Sequence, residues 1–208
     1  MKTVIINGSP RVNGNCALVI ERFAGSLENE GIETEVLQVG SADIKGCRGC
    51  GGCVKDFSCV MHGDGFHELA DKVYEAEGLL IVAPVYFDSM PGQLKTFLDR
   101  LFFQDRSGGG LRNKVAGACA VMRRTGGVAT LDDLYHYMTD AGMLIAPSAG
   151  SNMVYGFEKG ESALDKEGLD IMSKLAHNMA WLMKMIDMTK DKLTPPGFVE
   201  RDYMNFIR

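Results

Sequence analysis

No apolar run in this chain approaches the ~20 residues that a membrane-crossing helix needs. The apolar start Val4-Ile5-Ile6 stops at Asn7-Gly8, short of the roughly 7–15 residues of a secretory core. Membrane insertion and export are therefore not expected, and a cytoplasmic location is. Positive charge is also sparse. The longest basic block is the pair Arg123-Arg124, and 22 Lys+Arg against 27 Asp+Glu leave a formal net charge of −5, which gives no footprint for nucleic acid or an anionic membrane surface. His62, His67, His136 and His177 form no metal-binding pair of the H-x-x-H or H-E-x-x-H kind, and no Ser/His/Asp constellation is legible. There is no internal repeat, and Gly108-Gly109-Gly110 is the sole low-complexity stretch. What is present is an ordinary globular composition, 208 residues with 46% hydrophobic and 24% charged, enough for a substantial core.

Apolar residues recur in alternating patterns along that length. Short, β-branched, continuous runs at 2–6, 34–39, 78–83, 115–121 and 143–146 read as buried strands. Between and after them, helical spacing appears from Cys16 to a stop at Gly31, then over 67–77, 91–103, 129–141 and 167–188. Five strands alternating with five helices predict an α/β domain whose parallel sheet is covered on both faces by right-handed crossovers. The domain spans 1–190 and carries a Gly- and Cys-rich insertion at 40–65. Thr194-Pro195-Pro196-Gly197 cannot continue a helix, so 191–208 reads as an extended tail. The last helix places Met172, Leu175, Ala176, Met179, Leu182, Met183 and Ile186 at helical spacing, a packing stripe for core or subunit interface.

In an open α/β sheet the ligand sits beyond the carboxyl ends of the strands, near the point where strand order reverses. The loop after the first strand, residues 8–16, runs into a helix N-terminus, where free N–H groups and the helix dipole favour an anion. Ser9, Asn13 and Asn15 add neutral donors and Arg11 a cation, which suits a phosphate monoester. Asn15-Cys16 stands where a triphosphate loop needs Lys and Ser/Thr, and G-x-G-x-x-G is absent. Cys16 and Arg22 have C-x5-R phosphatase spacing, but the residues between them are apolar and helical. The loop after the third strand, 84–93, brings Tyr86 and Phe87 between Pro84 and Pro91, a wall for a flat ring; the plainer alternative is that the two aromatics cap the sheet. An anion site beside such a wall suggests a mononucleotide with a planar ring, FMN being the natural candidate.

The strings NGSPR-x-x-GN at 7–15, APVYF-x-x-x-P-x-QLK-x-F-x-DR at 83–100 and RRTGG at 123–127 resemble the NADPH-dependent FMN reductase group of flavodoxin-like proteins, from the N-terminus to about residue 155. The resemblance implies a three-layer sandwich with a five-stranded parallel sheet of order 2-1-3-4-5. It implies Ser9, Arg11, Asn13, Asn15 and Cys16 at the FMN phosphate, Pro84, Val85, Tyr86, Phe87 and Ser89 along the isoalloxazine ring, and Arg124 and Gly126 in the third loop. NADPH or NADH is the implied electron donor.

Six cysteines are too few for a disulfide scaffold, yet Cys47, Cys50, Cys53 and Cys59 crowd into one segment with the pattern C-x2-C-x2-C-x5-C. Structural zinc sites usually pair knuckles from separated segments, whereas compact C-x2-C-x2-C runs are typical of [4Fe-4S] ligation. Gly49, Gly51 and Gly52 allow a tight curl with amides turned towards sulfur. A zinc site and a loop of free or redox-active thiols are the alternatives, and Cys119, in an apolar strand, reads as a buried small hydrophobe. The segment is similar to that of the iron-sulfur flavoprotein branch, although Met61-His62-Gly63-Asp64-Gly65 stands where that branch often has an acidic run. That resemblance implies a homodimer or homotetramer, and as partner a ferredoxin or a small-molecule electron acceptor. The overall expectation is an FMN-dependent oxidoreductase passing electrons through flavin and a cluster. Two readings stand beside it: a clusterless NAD(P)H-dependent flavin or quinone reductase, and a non-enzymatic flavodoxin-type carrier or redox sensor.

Overall fold

The computed structural model describes residues 1–197, with Ser107 by its backbone alone. Six strands form one sheet: β1 (Lys2–Asn7), β2 (Glu33–Gln38), β3 (Gly78–Pro84), β4 (Val115–Met122), β5 (Leu144–Ile145) and β6 (Met153–Tyr155). Every pairing is parallel and the order is β2-β1-β3-β4-β5, with β6 also on β4. The helices are α1 (Asn15–Asn29), α2 (Cys53–Asp56), α3 (Phe66–Glu75), α4 (Gly92–Gly108), α5 (Gly127–Asp140) and α6 (Lys166–Thr189), and a 3-10 turn covers Glu161–Leu164. Among the described residues no helix is long and apolar enough to cross a membrane.

Strand periodicity of two sorts the core into two layers. Val4 and Ile6 of β1, Leu79 and Ile81 of β3 and Ala116, Ala118 and Ala120 of β4 face α3, α4 and α5, meeting Phe66, Phe97, Leu98 and Leu134. Ile5, Leu80, Val82 and Cys119 face α1 and α6, meeting Phe23, Leu27, Leu175 and Met179. Each of the buried Val, Leu, Ile, Phe and Met side chains contributes on the order of 1.5–3 kcal/mol by leaving water. Gly117 makes the second layer tight, because a Cβ there would lie 3.1 Å from Leu175 Cδ2.

The order 2-1-3-4-5 is as expected, and the sheet has one strand more. The expected strand 143–146 shrinks to Leu144–Ile145, pairing only with Val115 and Ala116. The upper half of β4 pairs instead with β6, after the Pro-, Ser- and Gly-rich stretch 147–152, whose composition reads as loop. A three-residue strand carries no periodic signal of its own, and the length of β4 is what calls it into place. Helix α4 runs beyond the expected 103 until Gly109, at φ 64°, ends it. The insertion holds one helical turn, α2, that the glycine content concealed. Of the expected tail, residues 194–197 lack regular structure and Pro196 accepts a hydrogen bond from Asn113 (3.4 Å); residues 198–208 lie outside the described residues.

Candidate cofactor site

Because all strands are parallel, the segments leaving β1, β3, β4 and β6 emerge at one rim of the sheet. The first is held from below. Ser9 is buried; its N–H donates to Asn7 Oδ1 (3.0 Å), its carbonyl accepts from Gln38 Nε2 (2.5 Å) and its Oγ accepts the Arg11 N–H (3.1 Å). Asn7 in turn donates to Gln38 (2.8 Å), so the ends of β1 and β2 together fix the loop. Among the described residues no side chain caps α1; the Ala17 N–H donates to the Gly14 carbonyl (3.1 Å), and Arg11 and Asn13 are exposed beside this first turn, where the helix dipole favours an anion.

Asn15 has a different role from the one expected of it. Its Oδ1 accepts from the Gly160 N–H (2.9 Å) and the Ser162 hydroxyl (3.3 Å), and its Nδ2 donates to the Glu158 carbonyl (3.0 Å). The side chain thereby clamps the turn after β6 to the start of α1. Cys16 is buried in the core, and burial pushes its thiol up to about 12. Arg22 pairs with Asp170 (3.1 Å) and donates to Ser173 (2.8 Å) on α6. A protonated thiol and an arginine turned to the neighbouring helix remove the phosphatase alternative.

The second loop is a tight turn. Tyr86 and Ser89 exchange backbone hydrogen bonds (2.8 and 3.2 Å) around Phe87 and Asp88, both left-handed at φ 50° and 63°. Such geometry costs about 1–2 kcal/mol per non-glycine residue, and the third loop sustains it. Thr125 Oγ1 donates to Asp88 Oδ1 (2.9 Å), and Gly126, at φ 83°, packs so closely that a Cβ would lie 2.5 Å from Asp88 Cα. The turn leaves Phe87 wholly exposed and Tyr86 40% exposed, against the capping alternative, in which the rings would be covered. Pro84 is buried at the end of β3 and the Val85 N–H donates to Val121 O (2.9 Å). The Ser89 hydroxyl is directed to Asp133 (2.8 Å) on α5. Arg124 is exposed, and the Arg123 guanidinium stands 4.8 Å from the Phe157 ring centre.

The insertion does not stay on that rim. It runs down α4, so that Cys47, Cys50, Cys53 and Cys59 line one small hollow of about 20 Å³ together with Met61, Arg100 and Phe103. Arg100 lies eight residues into α4, about 12 Å from its start at the helical rise of ~1.5 Å per residue. Cys53 is buried, which raises its thiol, as does proximity to Cys59, Cys47 and Cys50. Cys47 and Cys50 form an exposed lip hinged at Gly49 and Gly51, with φ 60° and 70°. The Gly49 N–H donates to Cys47 Sγ (3.4 Å) and the Cys59 N–H to Gln104 Oε1 (2.9 Å). Donor type, number and shared hollow fit a four-thiolate iron-sulfur centre. The hollow has room for about one water. Among the described residues no three His, Cys, Asp or Glu side chains are gathered as around a single ion.

Arg100, unassigned by sequence, completes this wall, and Asp64, likewise unassigned, pairs with it. Arg100 interrupts the apolar face Leu94, Phe97, Leu98, Leu101, and a charge at that phase was the available signal. Asp64 is nearly buried; burial alone would raise its carboxyl, but the Lys45 N–H, the Arg100 guanidinium and the Phe66 N–H hold it below the usual carboxylate range. A groove of about 880 Å³ between α4 and α5 joins Ser89 and Met90 of the second loop to Cys47 and Gly49 of the insertion. On its wall Lys95 bonds Asp99 (2.7 Å) and Tyr137 (2.9 Å).

The family described as NADPH-dependent FMN reductase matches residues 1–157. An iron-sulfur flavoprotein of Methanosarcina thermophila is 29% identical over 195 residues, covering 92% of this chain and all of that protein. One from Methanocaldococcus jannaschii is 32% identical over 193 residues, covering 89% and 99%. Among solved structures, RosB with bound 8-demethyl-8-formylriboflavin-5'-phosphate superposes at a TM-score of 0.73 with 20% identity, covering 100% of this chain and 93% of that one, a likeness of fold.

Proposed function

The chain belongs to the NADPH-dependent FMN reductase family and is an FMN-dependent oxidoreductase; from that premise we propose that it binds FMN across its three rim loops and a [4Fe-4S] cluster on Cys47, Cys50, Cys53 and Cys59. When bound, FMN accepts electrons in pairs and releases them singly, and a cluster carries them one at a time.

The chain's own residues provide position and charge. The first-turn N–H groups of α1, with Arg11, Asn13 and the Ser9 hydroxyl, meet the phosphate; Tyr86 and Phe87 flank the ring and exclude water from one side. The Asp88–Thr125 bond keeps that turn in place. NADPH or NADH is the proposed donor, and a ferredoxin or a small molecule the external partner. Free thiols favour a reducing, cytoplasmic location. Exposed Trp181, Met185 and Met188 at helical spacing on α6 favour a homo-oligomer, a dimer or tetramer.

The observation that carries the reading is the shared hollow: four cysteines spread over thirteen residues line one space beside α4. Its small size favours a second reading, the clusterless NAD(P)H-dependent flavin or quinone reductase. Anaerobic addition of NADPH or NADH to the FMN-loaded chain tests the enzyme. Rapid bleaching of the flavin band is expected, reduction by ferredoxin alone would favour a carrier, and failure to retain flavin would contradict both.

A further inference from the structure

The guanidinium of Arg100 is wholly buried on α4 and its partners form a pattern. Nη1 donates to the Lys45 carbonyl (3.2 Å) and pairs with Asp64 Oδ2; Nη2 donates to the Met61 carbonyl (2.8 Å) and reaches Cys59 Sγ at 3.4 Å. The cation also stacks on Phe66, 3.9 Å from the ring centre. Nε is buried and has no hydrogen-bond partner among the described residues. Asp64 binds the Lys45 N–H (3.1 Å) through Oδ2 and the Phe66 N–H (3.3 Å) through Oδ1.

A buried ion pair is a poor means of adding stability, since a well-packed apolar pair of similar volume often does as well or better. Its placement is more informative. The cation lines the cysteine hollow and donates through Nη2 to one of its four sulfurs, while the anion is paired at Nη1 and does not line the hollow. Hydrogen bonds to sulfur and local net charge are the protein's means of setting a cluster's potential.

We propose that Arg100 and Asp64 act as an opposed pair of positioning residues that set the reduction potential of the cluster held by Cys47, Cys50, Cys53 and Cys59. The proposal rests on the cluster reading above. Arg100 holds Cys59 and stabilises the reduced, more negative centre; Asp64 orients Arg100 and offsets part of its charge. Reduction transfers one electron from an external reductant to the centre, with no covalent bond formed or broken in the protein.

The test is a potentiometric measurement, with dithionite as reductant, on anaerobically reconstituted protein, with iron and FMN per chain determined on the same samples. R100Q should shift the midpoint to more negative potential and D64N to more positive; R100Q/D64N should fall between them, and R100K should lie closer to the unsubstituted protein than R100Q does. A purely structural pair would lower iron content in both single variants and leave the potential of the loaded fraction unmoved. Shifts of the same sign, or none, in loaded variants would overturn the proposal while leaving the cluster intact. Should R100Q fail to load, the positive shift of D64N and the near-unchanged potential of R100K decide it. Unsubstituted protein that holds FMN but takes up no iron would overturn the cluster reading and the pair's role together.

Discussion

Gly40 lies against Ser9 so closely that a Cβ on Gly40 would stand 2.3 Å from the Ser9 carbonyl carbon and 2.4 Å from its oxygen. Both contacts are backbone, so no side chain can yield. Gly40, two residues past β2, thus presses the loop after β1 into shape, and Gly40→Ala must displace it. An affinity loss for FMN of about ten-fold or more, equivalent to ~1.4 kcal/mol, is expected by fluorescence titration. Gly25 in α1 is the control, since a Cβ there meets nothing within 4 Å; Gly25→Ala should stabilise the fold by about 0.5–1 kcal/mol and leave FMN binding unchanged.

Gly126→Ala should act on the other half of the site. It combines a left-handed φ of 83° with a clash of 2.5 Å against Asp88 Cα, so the turn bearing Phe87 loses its support. The expected outcome is loss of flavin affinity with the secondary structure retained by circular dichroism. Thr125→Val, which removes only the bond to Asp88, should weaken binding less.

Asn15→Ala should free the turn at 158–162 and destabilise the chain by about 0.5–1.5 kcal/mol, the net range for a hydrogen bond that water can partly replace. Urea unfolding measures the loss. Faster amide exchange at Gly160 and Ser162, with the rest of the sheet protected, would locate it.

The thiols should divide into two groups. In protein free of metal, Cys47 and Cys50 react first with iodoacetamide, and Cys16 and Cys119 resist until unfolding, as peptide mass mapping would show. Burial raises Cys16 to about 12 and Cys119 well above the ordinary thiol value. Below the unfolded thiol value of about 8.5 both states keep the proton and this contribution to stability is complete. Above it the unfolded chain releases protons that the folded chain holds, so stability falls as pH rises towards about 12. Cys16→Ala should make the decline that sets in above about pH 8.5 shallower in urea unfolding.

The main strands and the rim loops were legible because continuous apolar runs and strand-end loops are local signals, whereas the sheet order came with the resemblance to the flavodoxin-like reductases. Strand β6 was not, since Met153–Tyr155 is a strand only because Ala120–Met122 need a partner. The cysteine spacing showed which thiols belong together but not that they descend along α4, a consequence of packing against Arg100 and Gln104. Asn15 looked like a free donor because its partners lie more than 140 residues away. Arg100 closes the motif at 83–100, but its chemistry appears only once Asp64 and Cys59 fold around it.

The most direct test of the account is the content of iron, sulfide and FMN per chain after anaerobic reconstitution, beside a variant with Cys47, Cys50, Cys53 and Cys59 all changed to Ser. The account predicts one FMN in both proteins, and about four iron and four sulfide in the unsubstituted chain alone, the composition of one [4Fe-4S] centre. One FMN with no iron or sulfide in the unsubstituted chain would contradict the cluster and leave a plain flavin reductase; the absence of FMN from both would contradict the account as a whole.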